Sequence, residues 1–293
     1  MALSQRDAPY PHWEFRDPQS GDLLRVVPER GGLISGWRCG GRELLYLDGP
    51  RFADPSLSVR GGIPVLFPIC GGLPGNQLPL PQGRFTLMQH GFARDLPWQL
   101  SPLDSSDGIA LDLRDSPATQ AAFPYAFCLR LEVRLAPGTL AITATVRNLG
   151  EGVMPFSLGL HPYFQVSALE QVAWQGLPPT CFDHHAMAED RTEVQLGRIA
   201  TGMDLLTRPD GPVRLLDRGA DSVLELHISH PWDLVVLWSE PPRPMVCLEP
   251  WTGPRQALLS GDRRLELAPG ESMELRTRFR HSSGGGNAPA PKG

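Results

Sequence analysis

The chain has 293 residues, 41% of them hydrophobic, and a formal charge of −5 with acidic and basic groups mixed along its length. No basic block stands out, which argues against nucleic acid or an anionic membrane surface as a partner. No apolar run approaches the ~20 residues of a membrane helix. Residues 1–11 also carry charged groups and lack the apolar stretch of a signal peptide, so the expectation is a soluble, cytoplasmic protein.

Glycine and proline, 31 of each, suit many short strands and few helices. The segment R-G-G-I-P-V-L-F-P (60–68) puts an arginine and two glycines ahead of an apolar run. It can be an anion cradle, with a guanidinium fork beside unobstructed backbone N–H groups, or simply a loop entering a buried strand. Residues 71–83 are rich in glycine and proline and read as a rim loop. Q-H-G-F-A-R (89–94) follows, with His90 and Arg94 four residues apart. From 127 to 135 apolar Phe127, Leu129, Leu131, Val133 and Leu135 alternate with Cys128, Arg130, Glu132 and Arg134, the mark of a strand with one wet face. After A-P-G-T the alternation resumes at Leu140, Ile142, Ala144 and Val146, which predicts an antiparallel hairpin.

Similar alternation marks strands at Leu224, Leu226 and Ile228 and at Met273, Leu275, Thr277 and Phe279, with a shorter apolar strand over 233–238. One short helix is predicted over 255–259, closed by Gly261. No composition shift marks a domain boundary, so residues 1–280 are expected to form a single domain. A polar tail over 281–293 is too poor in apolar groups to order itself. A domain of this size buries about 75% of its unfolded surface and needs no covalent staple. The five cysteines (Cys39, Cys70, Cys128, Cys181 and Cys247) are odd in number and scattered, which fits a reducing compartment.

Two histidines and a carboxylate stand in apolar surroundings: His90, His161 in L-H-P-Y-F, and Glu249 in C-L-E-P. Imidazole titrates near neutrality and serves as a general acid or base, although a lone histidine on an apolar strand is usually a satisfied core or surface group. A carboxylate at the end of an apolar strand risks burial, which raises its pKa toward that of a usable base. Asp183-His184-His185 invites a metal reading, but adjacent histidines on a strand point to opposite faces. No third ligand is spaced to help them. Walker, G-x-S-x-G and G-x-G-x-x-G motifs do not occur.

The ordered set R-G-G-I-P-V-L-F-P (60–68), Q-H-G-F-A-R-D-L-P-W (89–98), L-G-L-H-P-Y-F (158–164) and C-L-E-P (247–250) resembles the aldose 1-epimerase (mutarotase) superfamily. Within it the set is closest to the hexose-6-phosphate branch, glucose-6-phosphate 1-epimerase. The H-P-Y-F element is common to mutarotases, whereas R-G-G-I-P and H-G-F-A-R point to the phosphate branch. The resemblance spans about residues 26–279. It implies an all-β, galactose-mutarotase-like β-sandwich (supersandwich) with the site on its concave face.

It also implies roles. His161 is the general acid at the pyranose ring oxygen, and Glu249 the general base at the anomeric hydroxyl. His90 holds the sugar, Arg60 and Arg94 bind the 6-phosphate, and Asp204 lies near the sugar. No cofactor or metal is called for, and the expected partner is a small sugar or sugar phosphate bound by a monomer. For the cycle to run, Glu249 must be ionised while His161 is protonated, so their environments must order the two pKa values. Trp251 stands where many members carry glycine, and Arg255 is a third candidate cation. The alternatives are a mutarotase for free sugars such as glucose or galactose, and a catalytically silent carbohydrate-binding module on the same scaffold.

Overall fold

Alternating apolar residues build two eight-stranded antiparallel sheets and one five-stranded sheet in the computed structural model, which describes residues 3–283. The predicted hairpin is Phe127–Ala136 against Thr139–Asn148, with Leu131 opposite Ala144. Phe127, Leu129, Leu131 and Val133 are buried, while Arg130, Glu132 and Arg134 lie on the wetter face, where Arg130 donates to Asp112 at 2.7 Å. Ser272–Ser283 continues this sheet on the other side of Thr139–Asn148 and pairs in turn with Ser222–His227. Each buried Leu or Val side chain on the inner face stabilises the fold by about 1.5–3 kcal/mol.

The second eight-stranded sheet carries the site. Its central strands are Leu234–Ser239 and Met245–Trp251, flanked by Asp204–Thr207 on one side and by Gly159–Leu160 and Val65–Leu66 on the other. Tyr163–Gln165 also pairs with Met245–Trp251. Every residue of Met245–Trp251 is buried. Period two sends Val246 and Leu248 into the main core, together with Val235, Leu237 and Leu160. Cys247, Glu249 and Trp251 point to the opposite face, where Glu249 and Trp251 line a cavity. A five-stranded meander, Leu3–Arg6 through Arg42–Glu43, adds Phe15, Leu24, Val26 and Trp37 to the same core.

The predicted helix is present as Ala257–Ser260, closed by Gly261 at φ 80° with its N–H on the Ala257 carbonyl. Three further short helices, Gly49–Ala53, Pro117–Ala122 and Thr192–Leu196, correct the expectation of one. Pro117–Ala122 has a full capping box between Ser116 and Thr119, a start signal that its brevity concealed. The tail also begins later than expected. His281, Ser282 and Ser283 extend the last strand by pairing with Leu224, Val223 and Ser222, so edge hydrogen bonding orders residues whose composition is polar. The rest of the predicted tail lies outside the described residues. All five cysteines are free, and Cys128 alone is only half-buried.

Candidate active site

Register places the two proposed proton-transfer groups face to face. Gly159 pairs with Trp251 and Tyr163 with Cys247 across antiparallel strands. The interrupted stretch between them therefore sets His161 opposite Glu249. Pro162 breaks the ladder there, and the His161 N–H donates instead to the Pro64 carbonyl at 2.9 Å. The His161 Nε2 lies 3.5 Å from Glu249 Oε1, close enough for charge attraction but long for a hydrogen bond. The imidazole stacks on the Tyr163 ring (centroids 4.7 Å apart, planes 11°) and meets the edges of Trp238 and His90. Its Nδ1 is buried without a partner.

These groups line a cavity of about 310 Å³ together with Arg60, Arg94, Asp204, Arg255 and Gln89. The structure thus brings all six residues singled out from the sequence to one place. His90 is held in the left-handed region at φ 68°, a conformation uncommon for any residue but glycine. The turn is completed by Gly91, where a Cβ would sit 2.1 Å from the Phe67 carbonyl oxygen. Gly71 donates its N–H to His90 Nδ1 at 3.1 Å, and the His90 N–H donates to the Gly71 carbonyl at 2.7 Å. With Nδ1 accepting, the proton of the neutral ring sits on Nε2, which makes His90 a donor and sets the oxygen of the Gln89 amide, 3.3 Å away, as its acceptor within the protein. Gly71 therefore seats His90 through two hydrogen bonds, which corrects the reading of that stretch as rim alone.

The arginines are restrained differently. Arg60 donates Nε to Glu240 at 3.1 Å and Nη1 to Ser58 at 3.3 Å, with its guanidinium over the Trp238 ring. Arg94 donates Nη2 to the Gln89 carbonyl at 3.0 Å, while its buried Nε makes no hydrogen bond among the described residues and lies 3.9 Å from Asp95 Oδ2. Arg255 pairs with Asp204 at 2.7 Å and not with Glu249. The other Asp204 oxygen meets His184 Nδ1 at 2.7 Å. This pairing accounts for His184; His185, exposed, does not converge with it, so the two histidines form no shared ligand set. Among the described residues the donors closest to a metal-ligand grouping are His161, Cys247 and Glu249, whose atoms lie within 4.8 Å of one another. The unpartnered Nδ1 of His161 lacks the outer hydrogen bond that usually orients a metal-bound imidazole.

Electrostatics reverse one expectation. Burial, reinforced by the Asp204 carboxylate, lifts Glu249 well above the usual carboxylate range, against the opposing pull of the Trp251 N–H and Arg255. Burial and then the Arg94 and Arg60 guanidiniums push His161 down to about 3. The sequence-based argument required ionised glutamate beside protonated histidine. In this arrangement burial is the first cause at each group, and both neutral forms are favoured. His90 is held well below its usual value, first by burial and then by the neighbouring His161 and Arg94. Burial also lowers Arg94. For Asp204 burial acts upward, but the His184 hydrogen bond and charge and the Arg255 charge together hold it below the usual range.

Sequence reasoning missed Tyr163, Trp238, Ser58 and Gln89 as cavity lining. Tyr163 lies two residues from His161 on a strand-like segment, the spacing that shares a face. Trp238 shares its face with Val236 by the same rule. The Ser58 contact depends on a loop and carries no periodic signal.

The model of the aldose 1-epimerase family matches residues 19–280. The chain is 37% identical to the Slr1438 protein of Synechocystis sp. PCC 6803, whose structure superposes with a TM-score of 0.88 over 93% of this chain and 96% of that one. A Cenchrus ciliaris protein provisionally named glucose-6-phosphate 1-epimerase is 32% identical over 173 residues, 55% of this chain and 49% of its own length. The chain thus spans about half the length of the curated relatives it matches first. A galactose mutarotase related enzyme of Lactobacillus acidophilus shares the fold, with 19% identity and a TM-score of 0.77 over 92% of this chain and 97% of its own.

Proposed function

Because the chain belongs to the aldose 1-epimerase family, we propose that it interconverts the α and β anomers of a hexose 6-phosphate, with glucose 6-phosphate as the first candidate. The observation that carries this reading is the placement of Arg60 and Arg94 in the same cavity as the facing His161 and Glu249. Relatives provisionally named glucose-6-phosphate 1-epimerase support the choice of a phosphorylated sugar.

Glu249 takes the proton from the anomeric hydroxyl while His161 gives one to the ring oxygen. The C1–O5 bond breaks, the C1 carbonyl forms, and rotation about C1–C2 turns the other carbonyl face toward O5. Closure returns the protons by the same groups with roles reversed. His90 Nε2–H donates to a sugar oxygen. Each proton transfer by a positioned group accelerates the step by roughly 10²–10⁴-fold.

The charge state follows from the geometry. Neutral His161 with protonated Glu249 is the state that ring opening leaves behind, so a cyclic substrate needs one proton moved from Glu249 to His161. A phosphate dianion between Arg60 and Arg94 offsets the two positive charges that, after burial, hold His161 down. Closing the cavity with substrate strengthens each of these interactions by excluding water. The phosphate therefore contributes to turnover as well as to binding, which favours a phosphorylated substrate over the free sugar.

The test is polarimetry of freshly dissolved α-glucose 6-phosphate and α-glucose with the protein at fixed concentration. Faster approach to equilibrium for the phosphorylated sugar is expected. Equal acceleration of both would leave the arginines without a phosphate, and no acceleration of either would leave a binding module.

A further inference from the structure

Glu249 has two oxygens, and only one of them faces His161. Oε1 lies 3.5 Å from His161 Nε2, while Oε2 accepts a hydrogen bond from the Trp251 indole Nε1–H at 3.1 Å. Trp251 and Glu249 are two residues apart on the same strand, so period two sets both side chains on the cavity face. The indole is 2% exposed and is itself clamped. It lies parallel to the His184 ring (6.2 Å, 28°) and edge-on to His90 (5.8 Å, 78°). His184 is fixed by Asp204, and His90 by Gly71.

We propose that Trp251 is a positioning residue. Its N–H pins Oε2 of Glu249 so that Oε1 alone meets the anomeric hydroxyl. The proposal rests on the epimerase reading of this site.

Gly159 is the counterpart that makes room for the indole. It pairs with Trp251 across the strands, and a Cβ at 159 would stand 2.8 Å from Trp251 Cδ1, 3.2 Å from Nε1 and 2.9 Å from Cys70 Sγ. A methyl group there pushes on the edge of the ring that carries the donor. A buried hydrogen bond to a charged acceptor is among the stronger ones, because it stabilises the carboxylate and restricts its rotation together. Trp251 thus does two things to the base: it favours the ionised form and it chooses the oxygen that reacts. A smaller residue at 251 leaves the carboxylate free to turn and without this donor.

The experiment compares wild type, Trp251→Phe, Gly159→Ala and the double variant, each checked for cooperative unfolding. For each we measure kcat, KM and the pH profile of kcat/KM for anomer exchange of glucose 6-phosphate. Trp251→Phe is expected to lower kcat about tenfold, the scale of one hydrogen bond to a charged group, with KM nearly unchanged. The descending limb of its pH profile, which Glu249 sets because its pKa lies above that of His161, moves to higher pH, because the carboxylate has lost a donor.

Gly159→Ala moves the limb in the same direction, and adding it to Trp251→Phe moves the limb no further. A fall in kcat with an unmoved limb, or additive effects in the double variant, would overturn the proposal and leave Trp251 as packing. Side-chain ¹³C titration of labelled glutamate gives the same comparison without turnover. A midpoint for Glu249 that is higher in Trp251→Phe is expected, and an unchanged midpoint refutes the role. An inactive wild type would refute the epimerase reading, and the carbon titration would still decide on the hydrogen bond.

Discussion

His161 and Glu249 stand directly opposite each other on neighbouring antiparallel segments, with Nε2 and Oε1 3.5 Å apart at the floor of one cavity. The relationship is set by backbone register, since Gly159–Trp251 and Tyr163–Cys247 bracket it on either side. A one-residue slip would send Glu249 into the core and destroy the pair.

Glu249→Gln removes the base and keeps the shape. The Trp251 N–H donates to the oxygen of the new amide, as it does to Glu249 Oε2, which turns the NH₂ toward His161. Turnover is expected to fall by roughly 10²–10⁴-fold, with dissociation constants for sugar phosphate changed only slightly. Stopped-flow polarimetry and calorimetric titration check the two halves, and wild-type rates in this variant would remove Glu249 from the mechanism.

Arg60→Ala and Arg94→Ala separate phosphate from sugar. A hydrogen bond to a charged group contributes about 1.5–3 kcal/mol, or roughly a 10- to 100-fold rise in KM for the phosphorylated substrate. For the free sugar KM should move little. Arg94 carries the cleaner test, because its one hydrogen bond among the described residues goes to the Gln89 carbonyl and Asp95 stands 3.9 Å from its Nε, whereas Arg60 holds the Glu240 carboxylate at 3.1 Å and Ser58.

Asp204 acts on Glu249 at a distance. Its negative charge, after burial, helps lift the Glu249 pKa. Asp204→Asn removes that charge, so the descending limb of the pH–rate profile, which Glu249 sets, should shift to lower pH. The same change breaks the contacts to His184 and Arg255, and thermal unfolding should show a lower Tm. A limb that stays in place would mean that the Asp204 charge is screened from the base.

Folding stability should carry the signature of His161. Its folded pKa of about 3 lies below the ordinary 6.5, so between those values the unfolded chain binds more protons. Stability from this group is full above pH 6.5 and is lost as pH falls toward 3. Urea unfolding of wild type and His161→Gln between pH 7 and pH 4 isolates the effect. The difference should narrow or reverse at low pH in favour of the variant, and parallel curves would contradict the depressed value.

Much of this was legible in residue order, and the reasons differ by element. The hairpin of Phe127–Ala136 and Thr139–Asn148 was readable because one face is wet, so apolar and polar residues alternate. Met245–Trp251 hides its pattern by being buried on both faces, and Glu249 stood out as the carboxylate that ends its apolar run, with its role given by the motif resemblance. The short helices at Gly49–Ala53 and Thr192–Leu196 span barely one turn, too little for a periodic signal. His184 was set aside because adjacent histidines diverge, which they do, yet tertiary contact gives His184 a partner twenty positions away in Asp204. The protonation order of the central pair was stated as what the roles of His161 and Glu249 require of their environments. Burial of both groups, which one sequence does not quantify, sets it the other way.

The most direct test of the central claim is magnetisation-transfer NMR of anomer exchange, on glucose 6-phosphate and glucose side by side, with wild type and the Arg60→Ala/Arg94→Ala double variant. The account predicts fast α–β exchange of glucose 6-phosphate with wild type, much slower exchange with the double variant, and little effect of either protein on glucose. Wild-type acceleration of glucose equal to that of glucose 6-phosphate, or none for either sugar, would contradict it.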